Sequence, residues 1–193
     1  MIYDSEKTED YFEEIKRKLD DVEPQIGPFV MELYNAYQES STIFIIGNGG
    51  SAANASHFAQ DLAKGTLSDI SQKKRIRAVS LTDNGPFITA LANDEGYENV
   101  FLQQLMTYAQ PKDRLVIISG SGNSSNVVKA AEYALKNSMG VLGVTGFDGG
   151  KVKGLSKINV HVPSNDMGLV EAVHSVIFHL TMSQLADMIA IGK

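Results

Sequence analysis

Cysteine is absent from the 193-residue chain, which removes disulfide frameworks, thiolate nucleophiles and cysteine-based metal sites from consideration. Long apolar runs are missing too. No window holds about 18 consecutive apolar residues, so no membrane-spanning segment is expected. The opening stretch MIYDSEKTEDYFEE is acidic and has no apolar core, which argues against a secretory leader and for a cytoplasmic protein. Basic residues are scarce: 17 Lys and Arg stand against 23 Asp and Glu, for a formal net charge of −6. Such a balance is unsuited to wrapping nucleic-acid phosphates, and the one basic cluster, Lys73, Lys74 and Arg75 with Arg77, reads as a solvated loop edge. No Pro/Gly/Ser-rich linker divides the chain, so one well-buried domain is expected.

What is present is organised around residues 43–62, IFIIGNGGSAANASHFAQDL. An apolar β-branched run suits a strand buried on both faces. Asn48, Gly49 and Gly50 then turn the chain, and Ser51 is placed to cap a helix over 51–64. A strand, a glycine turn and an open helix N-terminus make an anion site, because unpaired N–H groups and the helix dipole point at one spot; the plain alternative is a tight turn whose glycines only permit positive φ. The turn carries neither a G-K-[ST] ending nor a G-x-G-x-x-G pattern, so it is neither a P-loop nor a dinucleotide fingerprint.

Around this stretch, the 3.6-residue period predicts two helices over 5–38, broken near Pro24, with stripes of Tyr11, Phe12, Ile15, Leu19 and of Phe29, Val30, Leu33, Tyr34. Strands are expected at 76–81, 114–118, 140–145 and 158–162, and helices at 86–92, 98–108, 127–136 and 168–189, with a polar break at Asn93 to Gly96. Alternation of this kind implies an α/β fold with a flavodoxin-like, five-stranded parallel sheet wrapped on both faces. Residues 1–40 form an N-terminal helical extension for packing or oligomerisation, and 41–193 the main domain. Ligands of such sheets bind beyond the carboxyl ends of the strands. There the loop with Ser119, Gly120, Ser121 and Ser124 repeats the logic of the first, its hydroxyls and N–H groups suiting a phosphate without a cationic side chain; alone, it could be an ordinary serine-rich connection.

His57 and Asp61 stand four residues apart on one helix face. The last helix carries Glu171, His174 and His179, and at about 100° per residue Glu171 and His179 lie about 80° apart, with His174 about 140° from His179. Two imidazoles and two carboxylates from two helices suit a zinc-like ion, unless the histidines are simply buried and hydrogen-bonded.

These residues resemble a family. Gly47 to Ala53, His57-Phe58-Ala59, Ala92-Asn93-Asp94 with Gly96-Tyr97, Ile118 to Ser124, Thr145-Gly146-x-x-Gly149-Gly150, Val162-Pro163-Ser164 and Glu171-x-x-His174 with His179 are similar to the phosphoheptose isomerases of the sugar isomerase (SIS) superfamily. The resemblance implies an aldose–ketose isomerase converting sedoheptulose 7-phosphate to D-glycero-D-manno-heptose 7-phosphate, a precursor of lipopolysaccharide or capsule heptose. It implies that Ser119, Gly120, Ser121 and Ser124 hold the phosphate. Asn48, Gly49, Gly50, Ser51, Asn93, Asp94 and Glu171 would line the sugar. His57, Asp61, Glu171 and His179 would bind one zinc per subunit, with Asp61 and His179 as the acid/base pair. It also implies a homotetramer with sites at subunit interfaces, and no nucleic-acid or membrane partner. The chain departs from the family at Asp61, usually glutamate, at Gly120, usually threonine, at Glu171, usually glutamine, and at Leu169-Val170, where an arginine is usual. A silent or respecialised SIS protein, binding a sugar phosphate or a partner such as the replication initiator, is the alternative.

Overall fold

The computed structural model describes residues 4–192. Strand β1 (Thr42–Ile46) is buried along its whole length, and its alternating side chains feed two cores: Ile43 and Ile45 face one, Phe44 and Ile46 the other. Strands β2 (Arg77–Ser80), β3 (Arg114–Ser119), β4 (Gly140–Thr145) and β5 (Ile158–His161) complete a five-stranded sheet in the order β2-β1-β3-β4-β5, every pair of it parallel. The expected flavodoxin-like order is therefore the observed one. The chain reverses its winding between β1 and β3, so the loops leaving those two strands flank the switch point.

Helices α1 (Ser5–Glu39), α2 (Gly50–Gln60) and α7 (Met167–Ile191) cover one face. The opposite core is built with α4 (Val100–Tyr108), α5 (Ser125–Lys136) and α6 (Gly150–Leu155), and α3 (Gly85–Asp94) flanks it. The short, glycine-opened α6 falls where the sequence suggested no element. Asn93 and Asp94, expected in a polar break, are the last residues of α3.

The expected break at Pro24 is not there: α1 runs unbroken for 35 residues through Pro24 and Pro28. Both prolines lie on the exposed side, so each carbonyl left without a partner faces water, and the Gln25 amide donates to the Asp21 carbonyl at 3.0 Å. Meanwhile Val22, Ile26, Phe29, Val30, Leu33 and Ala36 are buried in the same core as the sheet. Burial of that stripe outweighs a local cost of about 3 kcal/mol per proline. Arg114 fastens the helix further, its guanidinium meeting Glu32 at 3.0 Å and Glu39 at 2.8 Å. Tyr11 and Phe12, in the first turns of α1, are exposed. Among the described residues, no helix is long and apolar enough to cross a membrane.

Candidate active site

Two loops and three helix starts converge beyond β1 and β3. After β1 the chain turns at Gly49, whose φ of 57° and ψ of −125° favour glycine. Here Gly49, not Ser51, is the N-cap of α2, and no side chain caps the helix. Ser51 sits one residue inside, 5% exposed. After β3, Ser124 is the N-cap of α5, and its hydroxyl is not spent on the cap. The start of α7 completes the ring, its own cap being the Asp166 carboxylate, which accepts from Leu169 N–H at 3.1 Å. A cavity of about 110 Å³ lies between them, lined by Asn48, Ser51, Ser119 to Ser121, Ser124, Met167 and Glu171. Two uncapped helix N-termini and four serine hydroxyls facing one small space favour an anion the size of a phosphoryl group.

The walls are held by their own hydrogen bonds. Asn48 and Asn126 exchange amide bonds at 3.0 and 2.8 Å, and the Tyr97 hydroxyl donates to Asn48 Oδ1 at 3.0 Å. In the serine loop, Ser119 Oγ accepts from Gly122 N–H at 3.1 Å and Ser121 Oγ from Asn123 N–H at 3.3 Å. The loop after β4 leans on it, with Gly146 N–H donating to the Gly120 carbonyl at 2.9 Å and Val152 N–H to that of Gly122 at 3.0 Å. Met167, which lines the cavity, and Asn126, which braces Asn48 from behind it, were not singled out from sequence, and Tyr97, quoted there only as part of a motif, proves to be the second brace of Asn48. An Asn in the first turn of a helix gives no signal without the partner it meets. Asn93 and Asp94 do not line this cavity; they are exposed and pair with each other at 2.7 Å.

From the cavity a polar seam runs between α2 and α7. Glu171 lies against Gly50 at the start. One turn on, the Ser175 hydroxyl donates to Asn54 Oδ1 at 3.0 Å. Beyond it stand His57, Asp61 and His179. The helices are thus parallel, and their facing residues advance by three- or four-residue steps.

In this last group the ligand atoms all lie within 4.8 Å of one another. Asp61 Oδ2 is 3.4 Å from His57 Nε2 and 3.6 Å from His179 Nε2. A tetrahedral ion with ligands at 2.0–2.1 Å needs donor separations of about 3.3 Å. Both imidazoles are 55% exposed and Asp61 only 13%, which leaves an open side, as metal sites that take a substrate require. Two imidazoles and a carboxylate fit zinc in number, kind and spacing. Asp61 also opens a π-helical turn, Asp61–Gly65, that continues α2; such turns are rare and concentrate at functional sites. Glu171, grouped with these residues from the sequence, is not in the cluster: the angular count placed it near His179, but two helical turns separate them by about 12 Å along the axis.

His174 follows the bland alternative. It is fully buried, its Nε2 is 3.4 Å from the Thr145 carbonyl, and its Nδ1 has no partner. Burial pushes the imidazole down to about 4 from 6.5, against the upward pull of the Thr145 carbonyl, while His161 lowers it further. Because the folded value lies below the unfolded one, the unfolded chain takes up the proton first. The stability tied to neutral His174 is complete above about pH 6.5 and drains away as pH falls toward 4, by about 3 kcal/mol in all. Urea unfolding at pH 7 and pH 4.5 should therefore show a smaller acid loss for His174→Leu than for the wild type, by about 2 kcal/mol. Thr145 O keeps its Val162 N–H at 2.8 Å, so the substitution orphans no carbonyl. Equal losses in the two proteins would exclude this role for His174.

A family model described as SIS domain matches residues 10–146. Phosphoheptose isomerase of Helicobacter pylori strain P12 is 38% identical over 168 residues, covering 87% of this chain and 86% of that one. The Shewanella pealeana protein of the same name is 37% identical over 181 residues, 90% of each. Among solved structures, phosphoheptose isomerase from Neisseria gonorrhoeae superposes with a TM-score of 0.84 at 29% identity, over 94% of this chain and 97% of that one. The Francisella tularensis structure also gives 0.84, at 25% identity, over 97% and 100%.

Proposed function

The chain belongs to the phosphoheptose isomerases of the SIS family, an enzyme family acting on sugar phosphates, and from that premise we propose that it interconverts sedoheptulose 7-phosphate and D-glycero-D-manno-heptose 7-phosphate, a heptose precursor of bacterial surface glycans. The observation that carries this reading is the seam that joins an anion-sized cavity at one end to a His57–Asp61–His179 cluster at the other. From Gly50 to His57 the helix rises about 10 Å. An extended chain of tetrahedral atoms advances about 1.2 Å per bond, so a phosphate on C7 lies about 8–10 Å from C2 and C1. With the phosphate among Ser51, Ser119, Ser121 and Ser124, the carbons that exchange the carbonyl reach the cluster, whereas a pentose 5-phosphate falls short by about two bonds.

Moving a carbonyl between C1 and C2 needs a base for the C–H proton and an acid for the oxygen. Asp61 and His179, whose facing atoms are 3.6 Å apart, are assigned those roles, and Asn48, braced by Asn126 and Tyr97, orients the sugar. His57, Asp61 and His179 would hold a zinc ion, which when bound polarises the carbonyl oxygen as a Lewis acid. The exposed Phe12 of α1, and Val176 and Leu180 of α7 beside the cluster, support assembly into an oligomer, here proposed to be a tetramer with the site near an interface. A silent binding protein is the weaker reading, since the His/Asp cluster has no use in it.

Incubation with sedoheptulose 7-phosphate in D2O, with zinc and then with a chelator, tests the proposal by NMR. Isomer formation with deuterium entering C1 or C2, lost on chelation, is expected. A folded, zinc-loaded protein that yields neither product nor exchange would sink this substrate.

A further inference from the structure

The cavity already contains an anion. Glu171 lines it, and its carboxylate lies so close to the first residue of α2 that a methyl group on Gly50 would collide with both oxygens. Among the described residues no N–H or hydroxyl donates to that carboxylate. It stands at the positive end of α2, the same feature that suits the site to phosphate. Beside it Ser51, 5% exposed, lines the cavity, and its hydroxyl is engaged by no other group among the described residues, which leaves it free to donate to an acceptor that a ligand brings. With about 110 Å³ available, a phosphate dianion and the carboxylate would sit in direct contact, and like charges that close weaken binding by about 10- to 100-fold.

We propose that Glu171 is a specificity-determining residue of this cavity. Its carboxylate occupies the α2 end in the free protein, and a phosphate ester enters by displacing it toward the seam. The charge at position 171 then sets how strongly the site discriminates against small dianions. Inorganic phosphate, which brings no sugar contacts to offset the displacement, is held weakly, while a long sugar phosphate that also engages the seam is admitted. This rests on the sugar-phosphate reading above.

The test is titration of inorganic phosphate into the full-length protein by calorimetry, for the wild type, Glu171→Gln, Ser121→Ala and the double variant. The glutamine is nearly isosteric, so folding is preserved. Phosphate should bind Glu171→Gln at least about tenfold more tightly than wild type, and Ser121→Ala should weaken it in both backgrounds. Equal or weaker binding to Glu171→Gln overturns the proposal, whatever Ser121→Ala does. No effect of Ser121→Ala in either background would instead overturn the phosphate assignment itself.

Discussion

Alanine in place of His179 is expected to lower turnover by about three orders of magnitude while sugar-phosphate affinity stays within about threefold of wild type. The split follows from the geometry. His179 stands two turns of α7 beyond Glu171, so its removal leaves the serine loop, the Asn48–Asn126 pair and the N-termini of α2 and α5 untouched. At its own end of the seam the loss is double. The imidazole that faces Asp61 at 3.6 Å disappears, taking a proton-transfer group worth about 10²–10⁴ in rate, and the metal cluster falls from three ligands to two, which lowers zinc affinity steeply. Steady-state kinetics together with chelator competition for zinc check both parts. The side chain is half exposed and its ring packs edge-on against His57 at 5.0 Å, so stability should change by less than about 1 kcal/mol. A variant that keeps more than a tenth of the wild-type rate would remove His179 from the proposed chemistry.

Why the sequence separated some of these residues correctly and not others has a physical basis. Strand positions and their order were legible because β1, β3 and β4 have apolar, largely β-branched centres and lead into glycine- or serine-rich turns, which leaves few alternatives to a doubly wound sheet. The pairing of His57 with Asp61 was legible from spacing alone. Glu171 and His174 were not. Azimuth round a helix carries no information about rise, so Glu171 and His179 look like neighbours on a wheel and stand at opposite ends of the seam. His174 and His179 are the same residue type on the same helix, and only the packing of α7 on β4 decides that one is buried at Thr145 and the other open. Pro24 misled in the other direction. Its local cost is real, but a sequence window cannot see that the freed carbonyls point at water while the opposite stripe is buried against the sheet. The Asn54–Ser175 rung needed both helices in register, and the π turn at Asp61 has no residue signature at all.

The second large effect is expected at Gly122, where alanine should cost about 3–4 kcal/mol and disable the anion cavity without touching the His/Asp cluster. Gly122 has a φ of 63°, a region that costs an ordinary L-residue about 1–2 kcal/mol. A Cβ there would also run into the carbonyl oxygen of Gly149, and a backbone collision has no rotamer to relieve it. Gly149 cannot retreat easily. Its neighbour Gly150, at a φ of 52°, is already packed against the Ser121 carbonyl and the Asn123 amide, and Lys151 N–H is tied to Asn123 Oδ1 at 3.2 Å. The loops after β3 and β4 are thus meshed backbone to backbone, and forcing them apart moves Ser119, Ser121 and Ser124 off their positions. For a chain of this length about 3 kcal/mol corresponds to a fall in Tm of about 10 °C. Gly154→Ala is the control: nothing lies within 4 Å of its Cβ position in α6, so it should be neutral or stabilising by up to about 1 kcal/mol. Thermal unfolding, phosphate titration and zinc competition on both variants separate the outcomes. Loss of phosphate binding with zinc affinity retained is expected for Gly122→Ala, because the serine loop carries one end of the seam while α2, the π turn after it and α7 carry the other. A Tm within about 2 °C of wild type would mean that the loops yield more readily than their interlocking implies, and that the serine positions are not fixed by the glycine loop beside them.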